Sequence, residues 1–257
     1  MHDLFSQEYA KTGYMVVKAQ DLGPWELREN LHAICCEKLN EINETHERVP
    51  VYVGRTARTS WFDNFHRRGL QGPELNKLRL DLQEAVRHQV GPTLFASFPI
   101  IERLVGPDVV HQRGCNLVIA QPGDSERAPT HRDAPLNSNF EVVCWVPMND
   151  CHGTKSMRML NLDETRVALA VLKDQGYAAY KDYADCEAGV ALEVPFGSAC
   201  IFWAGLVHSV PINQTNQTRW VINHRFKSFW APYGAKGSGY FTTLQTSPLT
   251  RLGLEAT

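Results

Sequence analysis

Arg219-Trp220-Val221-Ile222-Asn223-His224-Arg225-Phe226 is the stretch on which the reading of the fold turns. It is short and rich in strand formers, with an apolar run at its centre. Residues two apart on a strand project to the same face, so Arg219 and Arg225 share one side of it. It is the last of a series of short apolar runs. The others cover 115–120, 141–147, 156–160, 190–194 and 199–203, and Pro122-Gly123-Asp124 and Pro195-Phe196-Gly197 punctuate them. Short strands at this spacing predict an antiparallel sandwich or barrel, interrupted by one helix over 164–175. Upstream of Val109 the texture is helical. A glycine closes a helix at Gly13, Tyr14 to Lys18 reads as a strand, and Pro24 opens a helix running to Asn43. Pro73 sits at a first helical position, with Leu75, Leu78, Leu82 and Ala85 following at three- and four-residue steps. A further helix is expected over 93–104. The Gly- and Thr-rich tail after Tyr233 is expected to be loosely ordered. The fold class expected is therefore mainly β with flanking helices. One domain spans 1–257, with mostly helical support over 1–108, the β core over 109–232 and the tail over 233–257.

Bulk composition narrows the function classes. The chain has 257 residues, 43% hydrophobic and 21% charged, with a formal net charge of −2. That suits a soluble globular protein with a sizeable core. Its scattered basic residues exclude a polyanion-binding surface, so no nucleic-acid partner is expected. There is no apolar run of membrane-spanning length and no charged-then-apolar leader, so a cytoplasmic protein without a membrane partner is expected. The 7 cysteines include no Cys-x-x-Cys pair and predict reduced thiols.

Chemistry concentrates in Pro129-Thr130-His131-Arg132-Asp133. On a strand, His131 and Asp133 project to the same side and can reach one metal ion. A third ligand, His208 on a neighbouring strand, completes a two-histidine, one-carboxylate triad with open positions, the ligand set of non-haem Fe(II) oxygenases. A lone His-x-Asp is a weak signal, and satisfied core or surface histidines are the bland alternative. Its order and setting strengthen it: both motifs fall at strand edges in the β-rich half, and ten residues past His208 stands Arg219.

These residues resemble the iron- and 2-oxoglutarate-dependent dioxygenases, in particular the branch that includes phytanoyl-CoA hydroxylase. The resemblance runs from about Cys115 to Pro232. It rests on Gln121-Pro122-Gly123 before His131-x-Asp133, Trp145-Val146-Pro147-Met148-Asn149-Asp150, Ser156-Met157-Arg158-Met159, Pro195-Phe196-Gly197-Ser198, Phe202, His208, Asn213 and Arg219. Thr154-Lys155-Ser156-Met157 together with 219–226 is similar to a smaller bacterial branch found in carbohydrate and aminoglycoside biosynthesis. The resemblance implies a double-stranded β-helix (jelly-roll, cupin-like) core, with Fe(II) on His131, Asp133 and His208. It also implies 2-oxoglutarate held by Arg219, O2 as the other co-substrate, and a small, carbohydrate-like substrate. Two departures stand out. Asn161-Leu162-Asp163-Glu164 replaces the Pro-Gly-Ser-His stretch common in the branch, and Val210 replaces a serine that helps hold the co-substrate. Ser156 and Gln121 are the substitutes expected to contact 2-oxoglutarate.

Around this centre Arg225, Arg132, Trp145 and Lys155 are candidates for substrate contact or support. For Arg225 a structural ion pair is an equal alternative, and Trp145, Trp203, Trp220 and Trp230 serve more often as core or rim aromatics. Arg55, Arg58, Trp61 and Asp63 fall where the resembling family covers its active site, although a plain surface loop reads as well. A monomer or homodimer is expected. The competing function is a non-oxygenase cupin-like jelly roll that binds or isomerises a sugar, and such a module has no need of Arg219.

Overall fold

In the computed structural model, which describes residues 2–42, 59–124, 129–134 and 136–256, helices fill the first part of the chain and strands the rest. The helical part runs α1 (His2–Thr12), β1 (Tyr14–Lys18), α2 (Gly23–Ile42), α3 (Thr59–Asp63), α4 (Gly72–Ser97) and α5 (Ile100–Val105). Then follow β2 (Val109–Gln112), β3 (Asn116–Ala120), β4 (Glu141–Pro147), β5 (Arg158–Met159), α6 (Leu162–Gln175) and α7 (Tyr177–Asp182). The chain ends with β6 (Val190–Ala191), β7 (Ser198–Trp203), β8 (His208–Ser209), β9 (Arg219–Ser228), β10 (Phe241–Gln245) and α8 (Pro248–Glu255). The larger sheet has the order β1-β7-β4-β9-β2-β10, with β3 also paired to β9, and the smaller has the order β6-β5-β8. The pairings are antiparallel. No helix among the described residues is long and apolar enough to cross a membrane.

The two faces of β9 organise the packing. Trp220, Ile222 and Phe226 point to the helices and join a core with Leu27, Leu31 and Leu39 of α2 and Leu78, Leu82, Val86, Val90 and Leu94 of α4. The α4 positions recur every four residues, so they form one stripe along the helix and cover the sheet continuously. Trp220 is completely buried and takes the edges of Phe62 and Phe65 at ring-centroid distances of 5.2 and 4.9 Å. On the opposite face a second apolar cluster, including Val143, Trp145, Phe202 and Val221, meets Met157 and Met159 beside the smaller sheet. The space between the sheets is where the site lies.

Three expectations need correction. The helix expected over 93–104 is two. α4 passes through Pro92 to Ser97, a break falls at Phe98 and Pro99, and α5 follows. A proline clashes with the Cβ of the residue before it in a helix, and that residue is Gly91, which has none. The same glycine makes room for His111, whose ring a Cβ there would strike. The strand β2 was not marked off in the sequence. The tail after Tyr233 is not loose: β10 pairs with β2, and Ser247 caps α8. Asp108 fastens this end of the chain, accepting from the Ser247 amide, the Thr250 hydroxyl and the Trp230 indole. The seven cysteines are all free, as expected.

His224 takes the helix-facing side of β9 and meets His111 at 2.9 Å between Nδ1 of His111 and its own Nε2. Burial pushes both imidazoles below their usual range, His224 well below it. In the unfolded chain they protonate near pH 6.5. Below that pH the unfolded state binds protons that the folded state refuses, so stability is lost as pH falls, by about 1.4 kcal/mol per pH unit for each such group. Thermal melts of the metal-free protein between pH 7 and 5.5 should show this slope. The double replacement His111→Phe with His224→Leu should reduce it, leaving the part that His208 and His32 contribute, and an unchanged slope would refute the attribution. Trp220→Ala should cost about 3–5 kcal/mol in denaturant unfolding, the range for an aromatic removed from a packed core.

Candidate metal centre

His131 and His208 are brought together by backbone. Each donates its amide to the other's carbonyl, at 3.0 and 2.9 Å, in an isolated antiparallel bridge. The rings then stand with centroids 4.3 Å apart. Asp133, two residues on, turns to the same side, with its Oδ1 3.8 Å from the His131 Nε2. One ligand atom from each of His131, Asp133 and His208 lies within 4.8 Å of the others, the spacing of a single ion's coordination shell.

The protonation states fit such an ion. His131 Nδ1 lies 2.6 Å from the Pro129 carbonyl, and His208 Nδ1 lies 3.0 Å from the Leu206 carbonyl. A carbonyl only accepts, so each Nδ1 carries a proton, which leaves each Nε2 as the nitrogen available to a metal. Burial, followed by the nearby His131, pushes His208 down to about 4, so its ring is neutral at pH 7. Burial alone would raise the Asp133 carboxyl, but the Arg225 guanidinium, through its charge and its hydrogen bond, acts against that and the group is held below its usual value. Two imidazoles that offer Nε2 and an ionised carboxylate are a donor set suited to a divalent transition metal such as iron.

These three residues open on a cavity of about 520 Å³ between the sheets. The inward face of β9 supplies Arg219, Val221, Asn223 and Arg225 to it, and β3 adds Asn116 and Val118. Trp145, Met157, Phe202 and Val210 complete the wall. Arg219 is 4% exposed, and its Nη1 is buried with no hydrogen-bond partner among the described residues. Burial lowers its pKa. A guanidinium without an anion in a desolvated cleft is costly, and a carboxylate ligand would relieve that cost through paired N–H···O bonds.

The other residues singled out in the sequence divide. Arg225 and Trp145 border the same cavity. Ser156 is fully buried and its hydroxyl has no partner among the described residues, but Met157 takes the place on the cavity wall. Gln121 turns away, donating to the Leu70 carbonyl at 2.8 Å beside a separate surface cleft. Arg132 also lies off the cavity, because alternation sends it opposite to its two neighbours. Lys155 is drawn elsewhere, its Nζ 2.6 Å from Asp63 Oδ1 and 2.8 Å from Gln217 Oε1. Trp61 packs against Phe62 and Trp220, and Trp230 is exposed. Arg55 and Arg58 lie outside the described residues. Asn161 and Glu164, at the first departure from the family pattern, form a reciprocal capping box that starts α6. Sequence reasoning missed Asn116 and Asn223. The parity that links Asn223 to Arg219 and Arg225 could have found it.

Lys155 has a structural part to play near Arg219. Asp63 Oδ1 accepts from both Lys155 and Asn149, the latter at 2.7 Å, and the Asp63 carbonyl accepts the Thr218 amide at 2.7 Å. Asn149 in turn holds the Thr218 carbonyl and the Trp220 amide. The backbone on both sides of Arg219 is thereby tied to α3. Removing one partner strands a buried charge, so Lys155→Met should destabilise the fold by about 3–5 kcal/mol. In denaturant titrations the Asp63→Leu, Lys155→Met double variant should lose less than the two single losses summed.

No protein-family model matches the sequence, and no curated protein matches it. Solved structures do. A non-heme monooxygenase, ThoJ in a nickel complex, is 18% identical, with 94% of this chain and 83% of that chain covered and a TM-score of 0.54. The non-heme alpha-ketoglutarate-dependent epimerase SnoN from nogalamycin biosynthesis is 14% identical over 93% of this chain and 87% of that one, with a TM-score of 0.51. The corresponding carbocyclase, SnoK, is 15% identical over 89% and 85%, also with a TM-score of 0.51. At this level of identity the likeness is one of architecture, and the chain shares its fold with these non-heme enzymes.

Proposed function

We propose that the chain is an Fe(II)- and 2-oxoglutarate-dependent oxygenase, acting as one domain built on a double-stranded β-helix. The observation that carries this reading is the buried Arg219, whose Nη1 has no partner among the described residues, in the same cavity as the His131, Asp133 and His208 cluster. A metal-binding module alone has no use for that cation. A 2-oxo diacid does, because one end chelates a metal while the other presents a carboxylate. Bound iron with 2-oxoglutarate and O2 supplies an oxidant able to break an unactivated C–H bond, releasing succinate and CO2.

The protein's part is binding, orientation and exclusion of water. His131, Asp133 and His208 hold the metal and leave the remaining positions to the co-substrates. Arg219 holds the distal carboxylate of 2-oxoglutarate, with Val210 offering only hydrocarbon where a hydroxyl would assist. The aromatic and aliphatic wall of Trp145, Phe202, Val118 and Val221 keeps that pair in a dry setting, which strengthens its attraction. Asp133 fills the third ligand position, which a halogenase would need for chloride. The substrate is a small polar metabolite, carbohydrate-like or an aminoglycoside, whose hydroxyl or amino groups suit the amides of Asn116 and Asn223. Hydroxylation, desaturation and oxidative ring closure are all compatible outcomes. The names of the epimerase and carbocyclase from nogalamycin biosynthesis support a place in natural-product tailoring.

Anaerobic protein mixed with Fe(II) and 2-oxoglutarate should develop the weak visible charge-transfer band of the chelated 2-oxo acid. Arg219→Ala should weaken 2-oxoglutarate binding at least about 30-fold, equivalent to about 2 kcal/mol for a desolvated charge pair. Asp133→Ala should abolish the band by removing a metal ligand. A wild-type protein that shows no band would defeat the oxygenase reading. Succinate release across a panel of sugars and aminoglycosides then identifies the substrate class.

A further inference from the structure

Arg225 shares a strand face with Arg219, yet its surroundings are different. The two Cα atoms are about 20 Å apart along β9, at a strand rise of about 3.3 Å per residue. Arg219 leaves Nη1 without a partner among the described residues, whereas both terminal nitrogens of Arg225 are bonded and only its Nε, beside Glu141, is not. Its Nη2 lies 2.8 Å from Asp133 Oδ2, and its Nη1 lies 3.2 Å from Gln112 Oε1. Its Nε faces Glu141 Oε2 at 3.9 Å, while Glu141 Oε1 accepts the Ser138 amide. Gln112 belongs to β2 and Glu141 to β4, the two neighbours that flank β9 at this level. The guanidinium is therefore clamped from both sides before it reaches Asp133. It has little left to offer a substrate.

The two oxygens of Asp133 are divided between two tasks. Oδ1 faces the His131 Nε2, on the side of the metal position, and Oδ2 is taken by Arg225. A free carboxylate beside a divalent ion can turn to chelate it through both oxygens, which consumes one more coordination position. The proposed function needs that position: two imidazoles and one carboxylate oxygen leave three places, two for a 2-oxo acid and one for O2. We propose that Arg225 is a positioning residue that holds Asp133 as a one-oxygen ligand, acting on the carboxylate and touching neither substrate nor co-substrate. This rests on the oxygenase reading for the number of positions that must stay open. The hydrogen bond itself is independent of that reading.

The test uses Co(II) as a spectroscopic metal probe and Mn(II) for crystals, both without turnover. Co(II) titration of the wild-type protein, Arg225→Met, Arg225→Lys and Gln112→Leu reads affinity and the visible d–d spectrum. Arg225→Met should bind Co(II) about 10–100-fold more weakly, the range for loss of a supporting contact to a metal ligand, with an altered spectrum. Arg225→Lys, which keeps a cationic donor, should recover part of the loss. In Mn(II) crystals the wild type should show Asp133 bound through one oxygen, and Arg225→Met should show it either chelating or turned away. Should Arg225→Met fail to fold, Gln112→Leu loosens only Nη1 and should give a smaller loss in the same direction. Wild-type affinity and spectrum in the folded Arg225→Met variant would overturn the assignment, as would unchanged Co(II) binding by Gln112→Leu where that variant carries the test. Chelation by both Asp133 oxygens in the wild type would do the same. A wild-type protein that takes up no Co(II) would sink the metal reading along with it. Wild type that binds Co(II) but not 2-oxoglutarate would remove the oxygenase reading and leave the Arg225–Asp133 coupling testable by affinity.

Discussion

A strand can face two environments at once because successive side chains leave it on opposite sides, and everything in this protein hangs on how β9 uses that constraint. Its even positions from Trp220 to Phe226 go into a close-packed hydrocarbon layer beneath α2 and α4. Its odd positions from Arg219 to Arg225 enter a polar cavity beside the candidate metal centre. Packing on one side makes the backbone rigid, and a rigid backbone fixes where the cations on the other side stand. A slip of one residue would put Arg219 and Arg225 into the core and Trp220 into the cavity, so the register is specified from both faces.

Four buried cations show how burial and partnership decide what a charge does. Lys155 is fully buried and meets Asp63. Lys227, also fully buried, donates to the carbonyls of Ala231 and Pro232 and stands 3.6 Å over the Tyr233 ring. Arg225 is enclosed by Gln112, Asp133 and Glu141. Each of these holds protein to protein. The unbonded Nε of Arg225 still faces the Glu141 carboxylate at 3.9 Å, whereas Arg219 forms no ion pair among the described residues and its buried Nη1 is an unmatched donor. In a folded protein such a donor is rare, because its desolvation is not compensated. That imbalance is the physical reason to assign Arg219 to an incoming anion and the other three to architecture.

The histidines follow the same logic with protons. His131 and His208 have their Nδ1 protons directed at backbone carbonyls, which frees the opposite nitrogens toward one point. His111 and His224 are both buried with lowered pKa values, but they face each other on the helix side of the sheet, away from Asp133. Residue type does not separate these pairs. The face of the sheet does.

Much of the fold and part of the site were legible in the sequence. Short apolar runs between turn residues announced β4, β7 and β9 within a residue or two, and His131-x-Asp133 with His208 and Arg219 named a cluster that folding does bring together. These signals are local, or they come from spacing along one chain direction. What sequence could not convey was decided by contacts between distant segments. Asp108 orders a tail whose composition reads as loose, Asp63 claims Lys155 across 92 residues, and Leu70 claims Gln121. Arg225 is the clearest case. Its strand parity pointed to the cavity, but whether it meets a substrate or a neighbouring carboxylate depends on β2 and β4 flanking β9. By itself the sequence determined which side chains are available and which face of a strand each occupies, because alternation is a property of the backbone. The tertiary structure alone decided which of them are already paired, because hydrogen-bond partners are set by distance in space.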